Sequence, residues 1–276
     1  FLKGAIVDNH GNLITNIYQV IANSSSNLDD YLNSFSKMFN NLDLEASKKN
    51  IDIDFIALSV PGPFDYEKGI SKMIHKYQAI YDLDLKELFL KKLNINKKIY
   101  FENDVISFLL GESINLKNIQ NKSVCAITLG TGLGYVVMKN NAILRNELGS
   151  PKEYIYDKPF KDGKMEDYFS ARGLIHFYNL HAHKEISSAK EVSELAKNKN
   201  LEAIEALNDF GKELGKGLLP YLSKNNVSDL YLGGQVSKAF PYFSESLKKE
   251  LKNINVYLSQ NENSALIGLA IRFFHK

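Results

Sequence analysis

Apolar positions run through residues 2–8 and again through 13–20, on either side of Asn9-His10-Gly11-Asn12, whose glycine and asparagines supply the turn conformations that most residues avoid. The chain is therefore expected to open in a strand–turn–strand hairpin. Leu28, Leu32, Phe35, Phe39 and Leu42 recur at helical spacing behind Ser24-Ser25-Ser26, which predicts a serine-capped helix of about four turns. Phe55-Ile56-Ala57-Leu58-Ser59-Val60 is a short apolar run stopped by Pro61-Gly62-Pro63, and the prolines rule out its extension into a helix. It reads as a buried strand ending in a turn. An amphipathic helix over 83–93, a strand over 98–102 and the apolar start of a helix over 105–110 follow, with a cap at Asn103 or Asp104. Two polar residues thus fall at a strand-to-helix junction.

The second half repeats the theme. Residues 123–129 form an apolar strand, and Tyr135-Val136-Val137-Met138 and Ala142-Ile143-Leu144 flank Lys139-Asn140-Asn141 as a second hairpin. Helices are expected over 166–178, 189–197 and 201–222, then a strand at Leu230-Tyr231-Leu232 before Gly233-Gly234. A helix, a strand and a last helix over 264–274 complete the pattern. Two hairpins, each followed by helix and strand, suggest an α/β protein built from two copies of a βββαβα-like unit. No low-complexity linker separates them.

Composition narrows the partners. With 276 residues, 44% hydrophobic and 24% charged, the chain has enough material for one large or two modest domains. Its 34 basic and 32 acidic residues are mixed along the sequence, unlike the one-sided basic footprint of a nucleic-acid binder, so a small-molecule partner is expected and no nucleic acid. The single cysteine, Cys125, excludes an intramolecular disulfide and any cysteine-rich metal site, and suits a reducing, cytoplasmic setting. No run approaches the roughly 18 apolar residues of a membrane span, so no membrane partner is expected. Phe1 begins what reads as the middle of a strand, and further residues are expected upstream of it.

The chemistry turns on Thr128-Leu129-Gly130-Thr131-Gly132-Leu133-Gly134. A dinucleotide fingerprint needs glycines at the first, third and sixth positions of a strand-to-helix turn, whereas here the third glycine is displaced and a hairpin follows. A Walker loop fails because no Lys-Ser or Lys-Thr stands at the required offset. What remains is a glycine turn whose backbone N–H groups, with the Thr131 hydroxyl, could converge on a phosphate, or a plain hairpin turn. Gly233-Gly234 could let a nucleotide lie close against backbone, or could serve helix–strand packing alone. In Phe101-Glu102-Asn103-Asp104 a carboxylate at the end of a strand can reach a ligand, or can simply cap a helix. His181 and His183 flank Ala182 at a spacing that suits a metal, but no third ligand is evident and a solvated pair is the simpler reading.

Taken in order, these pieces resemble the ROK family of bacterial sugar kinases and related repressors, within the larger group sharing the actin and hexokinase fold. IALSVPGPFD is similar to the family's strand ending in PGP, FENDVISFLLGE to its VENDANAAALGE, and LGTGLGYVV to its LGTGIGGGI. NELGS, MEDYFSARG, YLGGQVS and SALIGLA resemble GEIGH, LEAYASG, LGGGVS and the closing AALIGAA. The resemblance implies a two-lobed actin-like ATPase (ribonuclease H-like) fold, with one lobe from 1–111 plus 262–276 and a larger one from 112–261. It implies ATP-dependent phosphorylation of a hexose, most simply glucose, with Asp104 as the base. Gly62, Asn103, Asp104, Glu147 and Glu166 would bind the sugar, and Gly130, Thr131, Gly132, Gly233 and Gly234 the nucleotide. Magnesium is expected with the ATP, and a homodimer as the assembly. The family's DIGGT phosphate segment would stand just upstream of Phe1. Its CxCGxxGC zinc knot has no counterpart here, where Lys161-Asp162-Gly163-Lys164 stands near the end of the knot, and Ser150 replaces the histidine after ELG. No structural zinc is therefore expected, and Tyr154, Tyr156 and Phe160 are expected to pack the loop in its place. The alternatives are a sugar-sensing regulator, a non-catalytic sugar binder, or a kinase for N-acetylmannosamine, N-acetylglucosamine, allose or fructose. His75 and Lys76 carry no assignment.

Overall fold

The computed structural model describes residues 1–276 other than Ser24, His75, Lys76, Asn115, Lys117, Asn118, His183, Lys184, His275 and Lys276. The opening hairpin pairs β1 (Leu2–Gly4) with β2 (Tyr18–Val20), Leu2 opposite Val20. Asp8 organises the turn between them, its carboxylate accepting from the backbone N–H of His10 and Asn12, and Gly11 takes φ +84°. The helix α1 (Leu28–Lys48) has 21 residues, about six turns rather than four. Its cap is Asn27 and not the serines before it, because the Asn27 side chain accepts from the Asp30 N–H at 2.8 Å. Ser24 lies outside the described residues. Then come β3 (Phe55–Val60), β4 (Phe64–Asp65), β5 (Ile70–Ser71), α2 (Leu85–Leu93), β6 (Lys98–Asn103) and α3 (Asp104–Ser113). β3 and β6 are parallel, with Val60 opposite Asn103, so the start of the PGP turn and the Asn103-Asp104 junction come to the same end of the pair. Phe35, Phe39, Phe64, Phe89 and Phe101 fill the core beneath.

The second half supplies β7 (Ser123–Leu129), β8 (Leu133–Lys139), β9 (Ala142–Ile143), β10 (Pro159–Phe160), β11 (Gly163–Lys164), α4 (Met165–Tyr168), α5 (Ala171–His181), α6 (Ala189–Lys197), α7 (Leu201–Lys224), β12 (Asp229–Gly233), α8 (Phe240–Leu251), β13 (Asn255–Leu258) and α9 (Ser264–Phe274). Five of these strands form one sheet in the order β13-β12-β7-β8-β9, with β7 antiparallel to β8 and parallel to β12. The single helix expected over 166–178 is instead two, α4 and α5. Phe169 breaks the run by turning into the core against Phe160 and Phe210.

With β4 and β5 set aside in the first series, and β9 to β11 and α4 to α6 in the second, the order β1-β2-α1-β3-α2-β6-α3 recurs as β7-β8-α7-β12-α8-β13-α9. The chain divides into two compact units, Phe1–Ile114 with Arg145–Ser150 and Asn263–Lys276, and Asn115–Leu144 with Pro151–Glu262. In the first unit α3 and α9 pack backbone to backbone. A Cβ at Gly111 would lie 1.9 Å from the Ser264 carbonyl oxygen, and one at Gly268 2.1 Å from that of Ser107.

Candidate active site

In the first unit the site is built on the end of β6. Asn103 leaves the strand and caps α3, its Oδ1 accepting from the N–H of Val105 at 3.1 Å and of Ile106 at 3.3 Å. Its amide donates to the Tyr66 hydroxyl at 2.9 Å, and that hydroxyl donates to the Val60 carbonyl at 3.0 Å. The cap fixes Asp104 as the first helical residue, exposed at the surface, with Oδ1 accepting from the Val105 N–H at 2.9 Å. Tyr77 lies near enough that the Asp104 charge adds to burial, the larger cause, in pushing its phenol above the ordinary tyrosine range. Gly62 stands two residues beyond Val60, in the turn between β3 and β4.

Glu102, one residue before the cap, is 2% exposed. A carboxylate buried this far needs hydrogen-bonding partners. Arg145 provides a fork, its two terminal nitrogens 2.9 and 2.7 Å from the two carboxylate oxygens, and Arg272 Nε lies 3.5 Å away. The Asn103 N–H donates to the same carboxylate at 2.9 Å. Arg145 also donates to the Gly149 carbonyl at 2.6 Å. The 146–150 loop is closed on itself, because Asn146 Oδ1 accepts from the N–H of Leu148 and Ser150. Glu147 is exposed on this loop. Ser150 is buried, and its hydroxyl has no hydrogen-bond partner among the described residues.

The second unit holds the glycine turn. The Gly130 N–H donates to the Gly132 carbonyl at 3.0 Å, which closes the turn, and the Ala171 N–H donates to the Gly130 carbonyl at 2.7 Å. Glu166 supports it from below, its Oε2 accepting from the Leu133 N–H at 3.1 Å. A Cβ at Gly132 would come within 2.6 Å of that oxygen, whereas one at Gly130 would meet nothing within 4 Å. The N–H groups of Thr131 and Gly132 have no acceptor among the described residues. Backbone donors left over in a glycine turn are the kind of group that can receive a phosphate. β12 brings Gly233 opposite Thr128. Gly234 follows at φ +90°, where a Cβ would lie 2.3 Å from the Leu129 carbonyl oxygen. Gly234→Ala therefore strains a left-handed backbone and displaces β7. It is expected to cost roughly 2–3 kcal/mol, seen as a lowered Tm. An unchanged Tm would show that the turn relaxes freely.

Zinc does not fit these residues. Cys125 is buried in β7, where burial pushes its thiol well up, and no other cysteine exists in the chain. The segment that would form the knot is held otherwise. Lys161 turns from β10 to β11 at φ 52°, with its ammonium 5.8, 5.5 and 5.9 Å from the rings of Phe160, Tyr168 and Phe177 and 2.9 Å from a Glu213 oxygen. Phe160 and Tyr156 pack here against the core as expected, and Tyr154 sets its ring edge-on to Tyr156. Among the described residues no group of three or more His, Cys, Asp or Glu side chains could hold a metal. His181 pairs with Asp209 at 3.0 Å and Glu205 at 3.5 Å rather than with a histidine, and His183, His75 and Lys76 lie outside the described residues.

A profile of the ROK family matches residues 2–270. The chain belongs to the ROK family. A xylose repressor of Bacillus subtilis is 22% identical over 273 residues, covering 96% of this chain and 68% of the repressor. A glucokinase of Thermotoga maritima is 23% identical over 207 residues, covering 67% of this chain and 65% of the enzyme. The chain thus spans about two thirds of the length of these relatives. Among solved structures, a ROK glucokinase of Streptomyces griseus in complex with glucose and AMPPNP superposes with a TM-score of 0.80 at 18% identity, over 99% of this chain and 96% of that one. That likeness shows the two-domain actin-like ATPase fold. No helix among the described residues is long and apolar enough to cross a membrane.

Four residues around the candidate site carry no assignment from the sequence: Tyr66, Tyr77, Glu102 and Arg145. Glu102 had a signal, since a lone acid closing an apolar strand demands a cation. Nothing local pointed to Arg145, 43 residues away.

Proposed function

We infer that this ROK protein is an ATP-dependent hexose kinase. The observation that carries the reading is Asp104, an exposed carboxylate on the first turn of α3, held there by a cap whose hydrogen bonds run through Asn103 and Tyr66 to the PGP strand. In the reaction the Oδ of Asp104 accepts the proton of a sugar hydroxyl as its oxygen attacks the γ-phosphorus, and the bond from that phosphorus to the departing ADP oxygen breaks. Asn103 has a second amide hydrogen to give, and with Glu147, Glu166 and the Gly62 backbone it would orient the sugar hydroxyls. Gly130, Thr131 and Gly132 would hold the phosphates, with Gly233 and Gly234 on the adenosine side. Magnesium bound with the nucleotide would neutralise phosphate charge.

Glucose is the first substrate to try, followed by mannose, fructose, allose and the N-acetylhexosamines. A second reading, a sugar-responsive regulator, is favoured by the repressor match over 96% of this chain. ADP release from MgATP across that panel separates the two. Turnover on at least one sugar is expected. Tight binding of a sugar with no ADP release from any would sink the kinase reading and leave the regulator.

A further inference from the structure

The strongest unassigned feature of the first unit is the contact between Arg145 and Glu102. We propose that Arg145 is a positioning residue, whose fork on Glu102 sets the ELG loop in register with the Asn103-Asp104 junction. The proposal rests on the kinase reading and names how that site is held.

Three observations carry it. The fork is bidentate, which fixes the plane and direction of the guanidinium as a single ammonium contact would not. The same carboxylate accepts from the Asn103 N–H, so one buried group joins the backbone that launches Asp104 to a side chain from beyond residue 144. The guanidinium also holds the Gly149 carbonyl, and the Tyr66 N–H donates to the Leu148 carbonyl at 3.2 Å. Tyr66 is in turn the partner of the Asn103 amide. The loop bearing Glu147 is thus tied to Asn103 by two routes, one through Glu102 and one through Tyr66. Residues 145–150 belong to the first unit although the chain on both sides of them belongs to the second. The chain makes this excursion and fastens it with a charged fork on the residue beside the cap. Arg272 also lies beside Glu102, at 3.5 Å, but among the described residues the hydrogen bond to the Gly149 carbonyl comes from Arg145.

The test compares the full chain with Arg145→Lys, Arg145→Met, Arg145→Ala and the double variant Glu102→Gln with Arg145→Met, which removes both charges and leaves no carboxylate unpaired. Loss of the link is expected to lower kcat/KM for the sugar by about 10²-fold in Arg145→Met, chiefly through KM, with KM for ATP unchanged. Arg145→Lys, which keeps charge without the fork, is expected to fall on the side of Met. The double variant is expected to regain thermal stability without regaining sugar KM. Methylguanidinium added to Arg145→Ala is expected to restore sugar use where methylammonium does not. A role confined to stability would move sugar and ATP together, would be cured by the double variant and would show no guanidinium preference; any of these overturns the proposal. If the unaltered protein binds sugar but releases no ADP, the kinase reading fails while the link is judged on the sugar Kd by the same comparisons. If it neither binds nor phosphorylates any sugar, both fail.

Discussion

Asp104→Asn is expected to lower kcat by roughly 10²–10⁴ while leaving sugar affinity nearly unchanged. The side chains are close in size, and the amide oxygen can still accept from the Val105 N–H that Asp104 Oδ1 engages. The cap on α3 is untouched, because it belongs to Asn103. What the amide cannot do is take a proton from an attacking hydroxyl, so the loss falls on turnover and not on binding. Steady-state kinetics with isothermal titration of the sugar decide it. A kcat within a factor of about ten of the parent would remove Asp104 from the chemistry and leave the exposed acid as a first-turn helix residue.

Gly111→Ala is expected to be the most damaging single methyl addition in the first unit. The new Cβ would stand 1.9 Å from the Ser264 carbonyl oxygen and within 3 Å of that residue's other backbone atoms, so no side-chain rotation relieves it. α3 and α9 must separate, at a cost of about 3 kcal/mol, or on the order of 10 °C in Tm for a unit of this size. Because α3 begins at Asp104, turnover should fall with stability. Calorimetry giving a Tm within about 2 °C of the parent would mean that the helices slide apart freely.

Local pattern revealed most of the architecture and the reasons are visible at particular residues. β3 was legible because Pro61 stops it, the cap at Asn103 because a polar pair follows an apolar strand, and the second hairpin because Asn140 and Asn141 take positive φ. Elsewhere tertiary packing overrides local preference. Residues 166–178 have helical spacing throughout, yet burial of Phe169 breaks them in two. The serines before α1 are good caps, but Asn27 is better placed. Of the candidate site, the glycine turn and the Asn103-Asp104 junction could be read from motif order. The Arg145–Glu102 fork could not, since it depends on a loop from beyond the second hairpin returning to the first unit.

The last helix of the described fold is synthesised after the whole second unit, yet it completes the first. In a nascent chain α3 emerges with its glycine face bare, and it stays so until α9 follows. At ribosomal speeds the interval spanning residues 115–262 is on the order of ten seconds. The glycine turn, which lies wholly within the second unit, is synthesised before α9 can brace the Asn103-Asp104 junction of the first. A chain interrupted between β13 and α9 would contain the glycine turn and leave α3 without α9 to pack against.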